Sequence, residues 1–298
     1  MNNFFGNDGM HYEGYCIRPP SEVYSILLQV TLGCSHNKCT FCGSYKDKRF
    51  TIKDDDIIIS DILFASRTMK QQDRVFLMDG DALIIPQKRL VWILDSIRKH
   101  LPWVKRVGTY ANAKSIKMKS PDELNELREK GLGIVYLGVE SGDDEILKEI
   151  NKGTSAQNLI EMGRRIRDAG IKLSVTVLLG IAQRERSLRH ARATGELLSQ
   201  MDPNYVGALT VMLIPGSPLY KDYSDGKFEL IDQKEILKEL REMILHTNLS
   251  RGLFFSNHAS NYLPVKARLP RGKQDALDLI DSAIMGGISL RPEWMRGL

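Results

Sequence analysis

No apolar stretch of this sequence approaches the ~18 residues that a membrane-crossing helix needs, so no spanning segment is expected. The first eight residues, Met1-Asn2-Asn3-Phe4-Phe5-Gly6-Asn7-Asp8, have neither a basic start nor a long apolar core; they are not expected to be a signal peptide. Dense Lys/Arg runs are missing as well. The formal net charge of +5 is what a solvated surface gives and does not by itself call for a nucleic acid. There is no repeat of solenoid type. Cysteine is scarce, four in 298 residues, and three of the four fall within nine residues. That distribution is not a disulfide framework, and reduced thiols place the protein in the cytoplasm. At 42% hydrophobic and 27% charged residues the chain has the composition of an ordinary globular protein of one or two domains.

What the chain does have is a loop, Gly33-Cys34-Ser35-His36-Asn37-Lys38-Cys39-Thr40-Phe41-Cys42-Gly43, with the spacing Cys-x4-Cys-x2-Cys. It follows the apolar run Ser25–Val30, which reads as a buried strand. Thiolates suit zinc, copper(I) and iron–sulfur clusters. A structural zinc wants four protein ligands, and here the fourth would be His36. Three thiolates alone would leave one iron of a four-iron cluster open to another molecule. Cys16 is a distant alternative ligand, but a small half-hydrophobic side chain of this kind is expected to pack in the interior.

Downstream, strands and helices alternate. Strands are expected at Arg74–Met78, Val104–Asn112, Ile134–Glu140, Leu173–Gly180 and Tyr205–Leu213, with helices between them. Ser120-Pro121-Asp122-Glu123 has the pattern of a capping box, and Gly131 and Gly170 are stop signals. With the first strand this makes six apolar strands, expected to be parallel and covered by helices. The fold class is α/β: a partial (β/α)6 TIM-like barrel with a C-terminal helical and loop extension. The expected segments are an arm over 1–24, the barrel over 25–220, and an extension over 221–298 that covers the barrel mouth.

Sites in parallel α/β folds gather at the C-terminal ends of strands. There lie the cysteine loop, Asp79-Gly80-Asp81, Tyr110 and Asn112, Glu140-Ser141-Gly142, and Pro215-Gly216-Ser217. Each can also be read as a turn or a helix cap. The polar run Phe254–Pro264 is either a substrate lid or a loop that caps itself with Asn and Ser side chains.

The three-cysteine loop, with an aromatic residue before its last cysteine, resembles that of the radical S-adenosylmethionine (SAM) superfamily, where the usual spacing is Cys-x3-Cys-x2-Cys. This chain carries one residue more in the first gap. Leu137-Gly138-Val139-Glu140-Ser141-Gly142, Ile150-Asn151-Lys152-Gly153 and Arg164–Gly170 resemble the branch containing oxygen-independent coproporphyrinogen oxidases, methylthiotransferases and the Elongator catalytic subunit. The resemblance covers about residues 24–220. It implies a 4Fe–4S cluster on Cys34, Cys39 and Cys42, and SAM on the open iron. It further implies SAM contacts from Phe41 near the adenine, Gly80 and Asp81 at the methionyl ammonium, Asn112, Glu140 at the ribose hydroxyls, and Arg167 at the methionyl carboxylate. The activity implied is reductive cleavage of SAM to a 5′-deoxyadenosyl radical for hydrogen abstraction, with reduced flavodoxin or ferredoxin as electron donor. A small-molecule substrate is expected rather than nucleic acid, and no auxiliary cluster, since there is no second cysteine group. The alternatives are a zinc-binding nucleic-acid module on the three cysteines and His36, and a tRNA-modifying radical SAM enzyme. Shortening the first cysteine gap by one residue is expected to leave cluster assembly intact, because ligand type and count persist.

Overall fold

The computed structural model describes residues 9–297; the first eight positions of the expected arm, and with them the reading of the N-terminus, lie outside that range, as does Leu298. The chain divides into two compact units. The first comprises the chain up to Asn37, Ser44–Tyr136 and Arg165–Lys172. The second comprises Lys38–Gly43, Leu137–Arg164 and the chain from Leu173 onward.

In the first unit come β1 (Ile26–Gln29), the short β2 (Thr31–Leu32) and β3 (Thr51–Ile52), and α1 (Asp55–Thr68). There follow β4 (Arg74–Met78), α2 (Gln87–His100), β5 (Arg106–Ala111), α3 (Ala113–Lys117), α4 (Pro121–Glu129) and the first part of β6 (Leu132–Glu140). β1 pairs with β4 and β4 with β5, both parallel, with Val75 opposite both Ile26 and Val107. These strands are continuous apolar runs because both of their faces are buried; Val75, Phe76, Leu77 and Met78 are all fully buried. Phe76 meets Tyr110 edge-on at 5.0 Å between centroids and Tyr136 at 5.6 Å, which locks the middle of β4, β5 and β6 together. At the strands' N-terminal ends the buried Glu22 carboxylate accepts from Ser25 Oγ, Tyr136 and Arg106. The arm that sequence marks only as irregular is therefore bonded to the sheet. α4 begins with the expected capping box: Ser120 Oγ accepts from Glu123 N, and the Glu123 side chain accepts from Ser120 N. It ends before Gly131, whose φ of 107° is open to glycine alone among common residues.

In the second unit the rest of β6 is followed by α5 (Asp144–Glu149), α6 (Ala156–Asp168, its end from Arg165 belonging to the first unit), β7 (Lys172–Leu179, after its first residue), α7 (Gln183–Met201) and β8 (Tyr205–Thr210). Then come α8 (Pro218–Ser224), α9 (Gln233–His246), β9 (Gly252–Phe255), β10 (Lys266–Leu269) and α10 (Lys273–Ile284). β7, β8 and β9 pair in parallel, with Val206 opposite Val175 and Phe254; β10 pairs antiparallel to β9.

The sheet order is β1-β4-β5-β6-β7-β8-β9-β10. The six expected strands are β1 and β4 to β8, in chain order. The C-terminal stretch departs from expectation: it is not only helices and loops but adds β9 and β10 to the sheet. Each is four residues long, and in β10 the buried Ala267 and Leu269 alternate with exposed Lys266 and Arg268. A period-two signal that short is hard to separate from a polar loop. Among the described residues no helix is long and apolar enough to cross a membrane.

Candidate active site

The three residues that follow β4 each make a different use of the cysteine loop. Asp79 is fully buried. Its Oδ2 accepts from the Gly33 N–H at 3.1 Å and from Gln29 Nε2 at 3.2 Å, and lies 3.7 Å from Lys48 Nζ; its Oδ1 has no hydrogen-bond partner. Burial pushes this carboxyl above its usual range, opposed by the Gly33 amide and by Lys48. Gly80 donates its N–H to Gly33 O at 3.1 Å. A Cβ on Gly80 would stand 2.9 Å from Cys34 Cβ and 2.8 Å from the Tyr45 ring, so the loop's close approach is what requires glycine here.

Asp81, also fully buried, accepts at Oδ2 from Ser35 Oγ at 2.5 Å and from Asn112 Nδ2 at 2.8 Å, and at Oδ1 from Asn112 N at 3.3 Å. Ser35 Oγ and Asn112 Nδ2 are themselves 2.9 Å apart. Burial pushes the Asp81 carboxyl up to about 6, against the Ser35 hydrogen bond. Asn112 closes β5 and caps α3 through a reciprocal pair with Ser115. The residue after Cys34 is thus tied to the ends of β4 and β5. Gly80, Asp81 and Asn112, singled out from sequence, are brought together in the first unit. Asp81 and Asn112 are tied to one another and to Ser35.

The later part of the cysteine loop belongs to the second unit. Thr40 N donates to Ile150 O at 3.0 Å, and Thr40 O accepts from Leu219 N at 3.0 Å. The backbone between Cys39 and Cys42 is so fastened beyond α5 and at α8. Phe41 and all three cysteines are half-buried. Among the described residues no three His, Cys, Asp or Glu side chains are gathered into a metal-binding group. The match to an iron–sulfur cluster is one of donor chemistry: three soft, partly accessible thiol ligands carried by one loop, with Cys34 seated against the glycine that leaves it room. Cys16, expected in the interior, is half-buried.

Glu140 closes β6 with φ of 66°, a left-handed conformation uncommon outside glycine. Its Oε1 accepts from Lys152 Nζ at 2.8 Å, and both side chains are largely buried. Ser141 follows with its Oγ 2.8 Å from His190 Nδ1, while Asp143 N donates to the same Oγ at 3.0 Å. Gly142 N donates to Thr194 Oγ1 at 2.9 Å. His190 Nε2 lies 2.9 Å from Leu178 O, so the proton sits on Nε2 and Nδ1 accepts from Ser141. Complete burial lowers the His190 imidazole to about 4. Behind it Glu239 of α9, fully buried, accepts from Gly180 N at 2.8 Å and from Ser187 Oγ; burial raises its carboxyl to about 7. Lys152, His190, Thr194 and Glu239 were not singled out by role from sequence. The only signal is His190 and Thr194 spaced four apart among the buried positions of α7.

Arg167 does not join this set. It sits in the last turn of α6, five residues before β7, where Gly170 packs against Arg128, itself just ahead of β6. A helix returning between parallel strands ends where the next strand starts, at the opposite edge from Gly80 and Asp81. The polar run after β9 is also committed. Asn261 Oδ1 accepts from Thr210 N and Oγ1, both at 2.9 Å, and Nδ2 donates to Ala208 O at 2.7 Å. Arg291 Nη1 donates to the carbonyls of His258, Ala259 and Asn261. The run is fastened by Asn261 to β8 and by Arg291 from beyond α10.

Three comparisons bear on this geometry. An uncharacterized protein of Methanocaldococcus jannaschii is 22% identical, the alignment covering 93% of this chain and 81% of that protein. The tRNA uridine(34) acetyltransferase of Methanocaldococcus infernus is 26% identical over 121 residues, 40% of this chain and 22% of the enzyme. The structure of coproporphyrinogen III oxidase (HemN) from Escherichia coli, a radical SAM enzyme, superposes with a TM-score of 0.51 at 13% identity, over 75% of this chain and 53% of that one. The chain thus spans less than two thirds of the acetyltransferase and of the oxidase. The model of the radical SAM superfamily matches residues 28–193, more than half of the chain, from β1 through the cysteine loop, Gly80-Asp81 and Glu140 into α7. With that match the chain belongs to the radical SAM superfamily, whose enzymes use a 4Fe–4S cluster and SAM.

Proposed function

We propose that this protein is a radical SAM enzyme in which Cys34, Cys39 and Cys42 supply the three protein ligands of the cluster. When bound, the reduced cluster supplies the electron that splits SAM into methionine and a 5′-deoxyadenosyl radical, which takes a hydrogen atom from the substrate. This chain's residues bind and orient. Gly80, lacking a side chain, leaves the space beside Cys34 open. Glu140, held by Lys152 at 2.8 Å, presents its second carboxylate oxygen as an acceptor for the ribose hydroxyls. Asp81 and Asn112 keep Ser35 in place, and through it the residue beside Cys34. Phe41 offers an apolar face within the loop for the adenine. Arg167 has no part in this reading.

The observation that carries it is Gly80 set against Cys34, at the C-terminal end of β4, in a chain matched by the superfamily model. Anaerobic reconstitution, with iron and sulfide counts and a SAM cleavage assay under dithionite, tests it. About four irons and four sulfides per chain, with 5′-deoxyadenosine formed, are expected. One zinc and no sulfide would sink it. In this reading the electron donor is reduced flavodoxin or ferredoxin in the cytoplasm, and the substrate is a small molecule. The alignment with the tRNA uridine(34) acetyltransferase favours a second reading, an RNA substrate. Salt-dependent retention of total tRNA on the protein, absent for small anions, would select it.

A further inference from the structure

The extra residue in the first cysteine gap is not slack. Asn37 in that gap takes a left-handed conformation, φ 42°, which asparagine adopts more readily than most residues. Its Nδ2 donates to Tyr45 O at 2.5 Å and to Lys48 O at 3.4 Å, and its own carbonyl accepts from Lys46 Nζ at 2.9 Å. The gap is thereby sewn to the segment that leaves the loop.

Lys48 continues the chain of contacts. Its side chain, 9% exposed, donates to Glu13 O at 3.2 Å and Tyr15 O at 3.3 Å and lies 3.7 Å from Asp79 Oδ2. That same oxygen accepts the Gly33 amide, next to Cys34. Gln29 doubles the link: Nε2 donates to Asp79 Oδ2 and Glu13 O, and Oε1 accepts from Glu13 N at 2.8 Å. All of these residues belong to the first unit. A charge pair this buried gives little net stability after desolvation; what it fixes is geometry.

We propose that Asn37, Lys48 and Asp79 form a clamp that sets the backbone on both sides of Cys34 before any cluster arrives, with the arm residues Glu13 to Tyr15 as its outer jaw. The inference rests on the reading that Cys34 is a cluster ligand. The three are positioning residues: they act through the Gly33 amide and the Tyr45 and Lys48 carbonyls and touch no iron. A loop already ordered spends less of the cluster's binding energy on ordering, so loss of the clamp shows as a cluster that is more easily stripped.

The test compares wild type with Asn37→Gly, Lys48→Met, Lys48→Arg and Asp79→Asn after anaerobic reconstitution. Asn37→Gly keeps the left-handed backbone and removes only the side-chain bonds. The readouts are iron and sulfide content, the rate at which a ferrous chelator strips iron, and the reduction potential. Melting of the apoprotein serves as fold control, with Phe254→Leu as a destabilised comparison away from the clamp. Asn37→Gly and Lys48→Met are expected to lose iron about tenfold faster than wild type, the worth of one or two hydrogen bonds, with Lys48→Arg in between. Stripping rates equal to wild type, or an equal acceleration in Phe254→Leu at matched melting temperature, would overturn the clamp. A wild type that takes up no cluster overturns the ligand assignment instead.

Discussion

Lys152 Nζ lies 2.8 Å from Glu140 Oε1, twelve residues away in sequence, with the two side chains 12% and 8% exposed. The pair holds a carboxylate whose backbone is in a left-handed conformation at the end of β6. Removing Glu140 deprives the largely buried Lys152 of this ion-pair partner, which is destabilising. Glu140→Ala is therefore expected to lower the melting temperature as well as to weaken SAM binding about tenfold, while iron content stays at the wild-type level. Calorimetry with SAM, beside iron counts, checks it. Wild-type SAM affinity in a folded Glu140→Ala protein excludes the ribose role.

Each of Cys34→Ala, Cys39→Ala and Cys42→Ala removes one of three proposed thiolates, so each is expected to abolish the four-iron cluster. Cys16→Ala, half-buried in the arm, is expected to keep it. The check is iron and sulfide per chain after reconstitution. Equal loss in Cys16→Ala shows the ligand set to be wrong.

Gly80→Ala puts a methyl group 2.9 Å from Cys34 Cβ and 2.8 Å from the Tyr45 ring, closer than real Cβ contacts run. Either the Cys34 segment or the buried Tyr45 must move. The expected result is a folded protein, destabilised by about 1–3 kcal/mol, whose reconstituted iron content drops well below wild type. Full iron content with unchanged melting shows that the loop has slack at this point.

The shortened first gap, expected from ligand count to be tolerated, reads differently once partners are known. Ser35 binds Asp81 and Asn112, and Asn37 binds the segment leaving the loop. Deleting either removes an anchor as well as a residue, so the expected outcome is a lower yield of cluster, with Ser35 the costlier loss since it bonds the fully buried Asp81 carboxyl. Reconstitution yields of the two deletions, side by side, measure this.

Apolar periodicity made the six parallel strands legible, and the capping box at Ser120 and Glu123 marked a helix start to the residue. Those signals are local. The strand-end rule also placed Gly80, Asp81, Asn112 and Glu140 at the C-terminal ends of β4, β5 and β6, where the structure has them. What sequence did not give is partners. Lys48 to Asp79, Lys152 to Glu140 and Ser141 to His190 are tertiary choices of polar side chains, which carry no period. β9 and β10 are too short for alternation to stand out, and Arg167 was placed by motif likeness although its helix returns it to the far edge of the strands.

The buried group behind Glu140 gives a pH prediction with a definite sign. Burial raises Glu239 from 4.5 to about 7 and lowers His190 from 6.5 to about 4. For Glu239 the folded state holds its proton more tightly than the unfolded state, so between pH 4.5 and about 7 stability falls as pH rises. For His190 the unfolded state binds the proton instead, so between about 4 and 6.5 stability rises with pH. The two slopes oppose each other over most of that window. Besides one another, 3.5 Å apart, Glu239 faces Ser187 and the Gly180 amide, and His190 faces Ser141, Leu178 O and, more distantly, Asp143. Glu239→Gln keeps an acceptor for Gly180 N and removes the opposing slope. Denaturant unfolding at pH 5, 6 and 7 should therefore show a steeper rise of stability with pH in Glu239→Gln than in wild type, and His190→Gln should show the reverse. Parallel pH profiles for the three proteins would mean that these groups do not titrate between folded and unfolded states as their burial requires.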